Sequence, residues 1–331
     1  MNPRNLLFVS IISASFLLGG CAPADSQALT LYSGRSEELV APLIERFEQE
    51  TGINVDVRYA GTAELAAQLL EEGENTPADL FLSQDAGALG ALSAEALFVD
   101  LPAETLELVD SAFRSASGDW IGISGRARVL VFDPNAVDVV PKSVLELADA
   151  SWQGRVGIAP GNASFQAFVT ALRLIEGESA ASDWLAAMKQ NAVVFENNNA
   201  ILDAVESGQV SVGLINHYYW HKRLNEVGYE ALKSRLAFFD EGDAGNLINL
   251  AGVGILRDSD NARAFVDFML STESQEYFVV KTAEYPLRIG ASISSNPSLL
   301  PLVDLPAPEV DLGSLADLQT TLAMIRAAGL L

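Results

Sequence analysis

The chain has 331 residues, of which 49% are hydrophobic, and it carries 20 Lys and Arg residues against 44 Asp and Glu residues, a net charge of −24. This length is typical of two domains, and the apolar content suffices for a large buried core, unlike that of a disordered acidic tail. So acidic a surface repels polyanions at long range, and we therefore expect no nucleic-acid partner.

The N-terminal residues have the pattern of an export signal. Arg4 precedes an apolar run over residues 6–18, too short to span a membrane, and two glycines then precede Cys21, the only cysteine. This order resembles a bacterial lipoprotein signal, in which the cysteine is lipidated. We predict a signal peptide over residues 1–20, a lipid on Cys21 and a tether over residues 21–28. The protein is then exported and lipid-anchored to the cell membrane or in the periplasm; the alternative is a plain secretory signal.

The first part of the mature chain predicts alternating strands and helices. Val40, Leu43, Ile44 and Phe47 follow helical spacing, and Gly52 ends that helix. The predicted elements are a strand over 29–32, a helix from 37 to 51, a strand over 53–59, a helix over 62–72 and a strand over 79–82. This β-α-β-α-β order indicates a parallel sheet covered by helices.

The rest of the chain repeats this theme. The predicted elements are strands within 120–132 interrupted at 124–126, a strand over 156–158, helices over 164–175, 181–189 and 200–206, strands over 210–215 and 251–256, and a helix over 262–270. No long linker separates two self-contained halves. We therefore expect two α/β lobes that the chain enters more than once, with a ligand at the carboxyl ends of the strands.

Two of the seven tyrosines, Tyr218 and Tyr219, are adjacent where a predicted strand ends. One interpretation is packing, with one ring in the core and the other lining a cleft. The other is metal ligation, because ferric iron is a hard acid that favours anionic oxygen donors such as phenolates. The flanking His217 and His221 have the spacing of a zinc pair on a helix, but the chain has no third histidine, and we favour supporting or surface roles.

Enzyme motifs are missing from the sequence. The chain has no nucleophile elbow, Walker loop, dinucleotide-binding glycine pattern or HExxH motif. We therefore expect a binding protein rather than an enzyme.

Five segments, spread in order over nearly all of the mature chain, carry the strongest functional signal. They are LYSGR at 31–35, PADLF at 77–81, ISGRARV at 123–129, NHYYW at 216–220 and AEYPLR at 283–288. Together they resemble the ferric-iron-binding proteins of bacterial ABC importers. The resemblance implies an α/β, two-lobed periplasmic binding protein of type II, in which each lobe is a mixed sheet flanked by helices and the ligand lies in the inter-lobe cleft.

The resemblance also implies lobe boundaries and partners. We expect an N-lobe of residues 29–126 with 249–298 and a C-lobe of residues 127–248 with 299–331. The protein would capture Fe3+ and deliver it to ABC permease and ATPase subunits, as a monomer held at the membrane by the lipid on Cys21. An alternative keeps the fold but binds an organic cation or anion, such as thiamine, a polyamine or a phosphonate.

The metal ligands that the resemblance implies are tyrosines. Many members use a histidine and a glutamate where this chain has Ser36 and Gln84. A further group takes a tyrosine from the end of the first strand, which is Tyr32 here. The implied ligands are therefore Tyr32, Tyr218 and Tyr219, although Tyr32 also fits a core strand position.

An exogenous anion, carbonate, phosphate or citrate, is expected to complete the iron shell. The residues implied to bind it are Ser33, Gly34, Arg35, Ser36, Asn162, Asn198 and Asn216. Gln84, Asp85, Ser164 and Arg126 are expected to line the cleft. Arg126 fits an internal salt bridge equally well.

Overall fold

The structure, a computed structural model, describes residues 28–294, 296 and 298–331. The predicted signal peptide, Cys21 and all of the tether except Ala28 lie outside the described residues. Within these described ranges, no helix has the length and hydropathy of a membrane span.

Strands and helices alternate along most of the described chain. The strands are β1 (Leu29–Ser33), β2 (Val55–Tyr59), β3 (Leu80–Ser83), β4 (Trp120–Phe132), β5 (Val156–Ile158), β6 (Ala192–Val194), β7 (Val212–Asn216), β8 (Arg235–Ala237), β9 (Ile248–Ile255) and β10 (Tyr285–Pro286). The helices are α1 (Glu37–Thr51), α2 (Thr62–Glu72), α3 (Ala86–Ala94), α4 (Ala103–Leu106), α5 (Ala163–Glu176), α6 (Glu178–Asn191), α7 (Asn198–Ser207), α8 (His217–Val227), α9 (Asp260–Met269), α10 (Thr272–Tyr277) and α11 (Leu318–Ala327).

The strands form one mixed sheet in the order β2-β1-β3-β9-β4-β7-β5-β6, with β10 and β8 also paired to β4. Strand β1 is parallel to β2 and β3, and β5 is parallel to β6 and β7. Strand β9 is antiparallel to β3 and β4, and β4 is antiparallel to β7. Within each parallel group the carboxyl ends lie together, and the pairing of Ser83 with Gly252 and of Asn216 with Arg128 directs both sets of ends towards the middle of β4 and β9, a usual place for ligands.

Strand β4 belongs to both parts of this sheet. From Trp120 to Ala127 it pairs with β9, and from Arg128 to Phe132 it pairs with β7 and β8. We call β1–β3, β9 and β4 up to Ala127 the first half-sheet, and β5–β8 with β4 from Arg128 the second half-sheet. This change of partners lies next to the predicted lobe boundary at 126/127, and the boundaries themselves stay a prediction.

The prediction of separate strands interrupted at 124–126 was wrong. Strand β4 is continuous over 13 residues. Its register against β9 shifts between Gly122 and Ser124, because a bulge absorbs an extra residue without ending the strand.

The helices follow the apolar spacing of the sequence. In α1 the buried residues are the four predicted from that spacing, and Gly52 ends the helix in a left-handed conformation with φ 73°. Helix α2 has the predicted bounds. The other predicted helices are present and differ by a few residues at their ends, where helix assignments generally vary.

Candidate metal and anion site

The tyrosine pair lies in the first turn of a helix that directly follows a buried strand. Strand β7 is buried along its whole length, and α8 begins at His217. The rings of Tyr218 and Tyr219 are stacked, with centroids 4.3 Å apart and an interplanar angle of 29°. Both side chains are half-buried. Two phenol groups therefore lie side by side at the carboxyl end of β7.

In the metal-free protein, the Tyr218 phenol is held in its neutral form. Burial raises its pKa most strongly, Tyr219 raises the pKa further, and Arg126 lowers it. A bound metal ion favours the phenolate and thus opposes the effect of burial. The phenol therefore loses its proton when it ligates a highly charged cation.

Two buried arginines extend from β4 beside the tyrosines. Arg126 and Arg128 are two residues apart on one strand, so their side chains leave the same face, and they are 4% and 2% exposed. Arg126 donates hydrogen bonds to the carbonyl oxygen of Gln84 and, at 2.9 Å, to that of Leu250. Arg128 donates to the Ser164 hydroxyl at 3.2 Å and to a carbonyl oxygen of β7 at 3.0 Å. The two guanidinium groups thus reach opposite half-sheets.

Each of these guanidinium groups retains an unused donor. Among the described residues, the buried Nε of Arg126 and that of Arg128 have no hydrogen-bond partner. Burial lowers the pKa of Arg128 to about 9, and the two tyrosines act in the opposite direction. Buried, incompletely compensated positive charge favours ionised phenols and a bound anion. Sequence reasoning named Arg126 but missed Arg128, although strand alternation places both on one face.

Tyr32 does not lie with the tyrosine pair. Its hydroxyl donates to Glu72 Oε1 at 3.3 Å and accepts from Gln68 Nε2 at 3.2 Å, both in the last turns of α2. The Arg58 guanidinium lies 5.5 Å from its ring centroid. Helix α2 begins beside the turn after β1, where Thr62 donates to a carbonyl oxygen, and ends at Glu72. The ring therefore points away from the carboxyl end of β1, and its ligand role stays a prediction that this geometry does not favour.

The turn after β1 contributes no free guanidinium. Arg35 Nη2 donates to both carboxylate oxygens of Glu284, at 3.0 and 3.1 Å, and both side chains are buried. Gly34 approaches α2 so closely that an added Cβ would lie 2.0 Å from Thr62 Oγ1. Anion binding by Arg35 has to compete with its buried ion pair, so we assign the positive charge of the site to β4.

The other predicted residues of the first half-sheet are mostly engaged within their own turns. The Ser33 hydroxyl donates to a carbonyl oxygen two residues away at 3.0 Å, and Ser36 is exposed before α1 without a capping bond. Gln84 contacts the site with its main-chain carbonyl oxygen, which accepts a hydrogen bond from Arg126. Asp85 caps α3, and burial raises the pKa of its carboxyl while N–H groups of α3 and Arg126 lower it.

Polar residues lie at or next to the starts of the helices that follow β5, β6 and β7. The Asn162 side chain accepts from the N–H of Ser164 at 2.9 Å and from its hydroxyl at 2.5 Å, which caps α5. Asn216 is opposite Arg128 in the pairing of β7 with β4, and its side chain makes no capping bond to α8. Asn198, at the start of α7, is 1% exposed, and its Nδ2 has no partner among the described residues. These groups offer hydrogen bonds to an anion.

The two histidines stabilise the fold. His217 Nδ1 accepts from the Ala127 N–H at 3.1 Å, and Nε2 donates to the Ala283 carbonyl at 2.8 Å. His221 Nδ1 lies 2.8 Å from the Ser298 hydroxyl. Burial lowers the pKa of His217 to about 4 and that of His221 to about 3. No group of three or more His, Cys, Asp or Glu side chains in the described ranges could hold a metal ion, so the zinc alternative gains no support.

Comparison with known proteins places this chain in a family. Residues 29–281 match the bacterial extracellular solute-binding proteins. Over 331 residues the chain is 36% identical to the Fe(3+)-binding periplasmic protein of Serratia marcescens, covering 98% of this chain and 97% of that protein. The chain belongs to the bacterial ferric-iron-binding protein family. It is also 34% identical to the major ferric iron-binding protein of Neisseria meningitidis serogroup A, across 97% of this chain and 98% of that protein.

Solved structures of the ferric-iron-binding family have the same architecture. Iron-bound HitA from Pseudomonas aeruginosa superposes with a TM-score of 0.83 at 36% identity, covering 91% of this chain and 99% of that one. The predicted type II periplasmic binding fold and the predicted family are thereby confirmed.

Proposed function

We propose that this chain is the substrate-binding component of a bacterial ABC importer, which captures ferric iron outside the cytoplasm and delivers it to the permease and ATPase subunits. The observation that carries the proposal is the stacked pair of Tyr218 and Tyr219 beside two buried arginines. The ferric-iron-binding names of relatives that match nearly the whole chain support the choice of cargo.

The ligands in this proposal are the phenolates of Tyr218 and Tyr219. Iron ionises both phenols, and the adjacent arginines favour the ionised forms. Tyr32 is left out of the set because its hydroxyl is bonded to α2. Two phenolates leave most of an octahedral shell open, which an exogenous anion must fill.

The anion, carbonate, phosphate or citrate, binds in this proposal between β4 and the starts of α5 and α8. Arg126 and Arg128 supply the positive charge, and each has a buried Nε free among the described residues. Ser164 and Asn216 lie next to Arg128 and add neutral hydrogen-bonding groups. Charge-assisted hydrogen bonds of this kind are the stronger ones in proteins.

The proposed location is the outer face of a membrane, with a lipid on Cys21. The apolar run, the small residues and the single cysteine at this position support it. Mass spectrometry of the mature protein tests this: we expect an acylated cysteine as the first residue, whereas a cleaved chain with an unmodified Cys21 would contradict the anchor.

A visible absorption titration of the metal-free protein with ferric citrate tests the iron site. We expect a phenolate-to-iron band that saturates at one iron per protein. Tyr218→Phe and Tyr219→Phe should each weaken iron binding by more than about 100-fold, beyond the loss typical of groups that merely support a ligand. Tyr229→Phe is the control, because that ring is 51% exposed and lies against Arg235.

The absence of a band in the wild-type protein would overturn the iron proposal. Thermal stabilisation of the same colourless protein by thiamine, a polyamine or a phosphonate would then support the organic-cargo alternative. In that case the stacked rings would line the cleft rather than ligate a metal.

A further inference from the structure

The C-terminal segment from Asp311 to Ala327, which we call the strap, contacts both half-sheets. It begins with a 3-10 helix over Leu312–Ala316 and continues through Asp317 into α11. We propose that the strap is a tether between the lobes, which limits their opening and so sets the fraction of protein that is ready to bind cargo.

The first anchor of the strap is a glycine-lined face of α3, in the first half-sheet's helical layer. A Cβ at Gly87 would lie 2.7 Å from the Leu315 carbonyl oxygen, and one at Gly90 would lie 2.3 Å from the Gly313 carbonyl oxygen. Leu312 and Leu315 are 4% and 3% exposed and belong to the same buried cluster as the leucines of α3. The strap backbone thus lies directly on α3, with no room for a side chain between them.

The second anchor is α5, in the helical layer of the second half-sheet. Arg173 donates to the Asp317 carbonyl at 3.1 Å and to its carboxylate at 2.9 Å. The hydroxyls of Thr170 and Thr321 are 2.7 Å apart and buried. Ile325 is fully buried in a cluster with residues of β5 and β7. The strap is therefore attached to α5, and α11 packs into the core of the second half-sheet.

The strap joins the two helices whose first turns border the candidate site. Asp85 caps α3 and Asn162 caps α5, so both helices begin at the cleft. If the lobes separate, these helices move apart and one anchor must yield. Packing without a gap on α3 and a charge-assisted contact on α5 both resist that movement. The strap thus links the half-sheets in addition to the continuous strand β4.

Gly90→Ala tests the tether, because its methyl group displaces the strap from α3. Small-angle scattering of the metal-free variant should give a larger radius of gyration than that of the wild type. Ferric citrate should bind about 3- to 30-fold more weakly, because apparent affinity falls with the fraction of binding-competent protein. Gly61→Ala is the matched control, since its Cβ would meet nothing closer than the Glu64 Cβ at 3.9 Å.

A second variant loosens the other anchor and covers the case in which Gly90→Ala does not fold. Asp317→Ala removes one of the two carboxylates that pair with Arg173, the other being that of Glu178, and should change the scattering in the same direction. Its control is Asp258→Ala, which breaks an ion pair with Arg263. The side chains of Asp258 and Asp317 are similarly exposed, at 51% and 52%.

Unchanged scattering in both metal-free variants, with only a lower unfolding temperature, would overturn the tether and leave the strap as ordinary packing. The scattering comparison needs no iron, so it is decided separately from the proposed iron function. The affinity readout, in contrast, rests on that function and applies only if the wild type binds iron.

Discussion

The Tyr218 phenol of the metal-free protein is neutral, and the positive charge beside it comes from two residues of one strand. The third buried arginine near the turn after β1, Arg35, is neutralised by Glu284. Arg126 and Arg128 make their described hydrogen bonds only to carbonyl and hydroxyl oxygens. Glu284 and Asp85 offset part of the Arg126 charge, so the charge available to the phenols and to an anion comes mainly from Arg128, on which both tyrosines act.

Arg128→Gln should weaken ferric citrate binding by about 10- to 100-fold, the range typical of groups that support a metal ligand. Arg128 interacts electrostatically with both tyrosines, so loss of its charge disfavours the phenolate ligands, and iron should be released at a higher pH than in the wild type. An absorbance titration repeated from neutral to acidic pH measures both effects. Arg155→Gln, which removes a guanidinium lying 5.0 Å from the Trp152 ring, is the control and should leave the release pH unchanged.

Tyr32→Phe should leave the iron absorption band and the affinity within about twofold of the wild type, because its hydroxyl is bonded within α2. Burial and Glu72 raise the Tyr32 pKa, while Arg58 lowers it, so Glu72 opposes formation of the phenolate. A loss of the band comparable to that of Tyr218→Phe would instead restore Tyr32 as a third ligand.

The sequence allowed prediction of the tyrosine pair but not of its electrostatic surroundings. Two adjacent aromatic residues at a strand end are visible locally, since strand and helix periodicity place them at a junction. The partner of Arg35 is 249 positions away in Glu284, and no local pattern reveals such a pairing. Arg35 was therefore predicted as an anion ligand, whereas the structure gives it a buried carboxylate.

At the scale of elements, a hydrogen bond from β4 to the first residue of α8 lies at the point where β4 stops pairing with β9 and starts pairing with β7. His217 accepts from Ala127, the last residue of β4 that pairs with β9, and its ring stacks on Tyr285 at 4.7 Å. Its other nitrogen holds Ala283, which has a left-handed backbone with φ 55°. One neutral imidazole therefore connects the strand, the helix and the segment that follows the π-helix of residues 278–282.

Acid should destabilise the metal-free protein through this imidazole. The folded-state pKa of His217 is lowered to about 4 from an ordinary value of 6.5, so the folded state binds fewer protons than the unfolded state between these values. Its contribution is complete above pH 6.5 and is lost as the pH falls towards 4, up to about 3 kcal/mol. Urea unfolding at several pH values measures the loss. We expect a flatter pH dependence for His217→Gln, and parallel curves would contradict the assignment.

The strand that sequence reasoning divided shows why local signals fail at a crossing. Glycines such as Gly122 and Gly125 favour a break in a strand when only the sequence is considered. In the fold, other segments of the same chain pack against these two positions and leave no room for a side chain. An added Cβ at Gly122 would lie 2.6 Å from the Phe113 carbonyl oxygen, and one at Gly125 would lie 3.0 Å from Leu287. Helix α2, whose ends are marked by local sequence signals, was predicted with its observed bounds.

At the scale of the whole molecule, strand β4 and the strap connect the half-sheets. Strands β4 and β9 pair with each other, and β4 continues into the second half-sheet. Their short crossing can act as a hinge, since hinges are a few residues that absorb a change in backbone angles. The net charge of −24 belongs to a protein whose candidate site contains two buried arginines.

Ferric citrate should decrease the radius of gyration of the wild-type protein, because iron and its anion bind groups from both half-sheets and favour the closed state. Small-angle scattering with and without iron measures this change. Tyr218→Phe should show no decrease at the same iron concentration. Identical scattering of the iron-free and iron-bound wild type would contradict closure.

The spacing of Arg126 and Arg128 also has a mechanical consequence. Arg126 binds the Gln84 carbonyl oxygen beside α3, and Arg128 binds Ser164 in the first turn of α5. The cargo would therefore be bound next to the hinge rather than at the distant rims of the lobes. A small movement next to the hinge accompanies a large movement at the far ends of both lobes. A permease that pulls on the distant rims would then have leverage over the metal site.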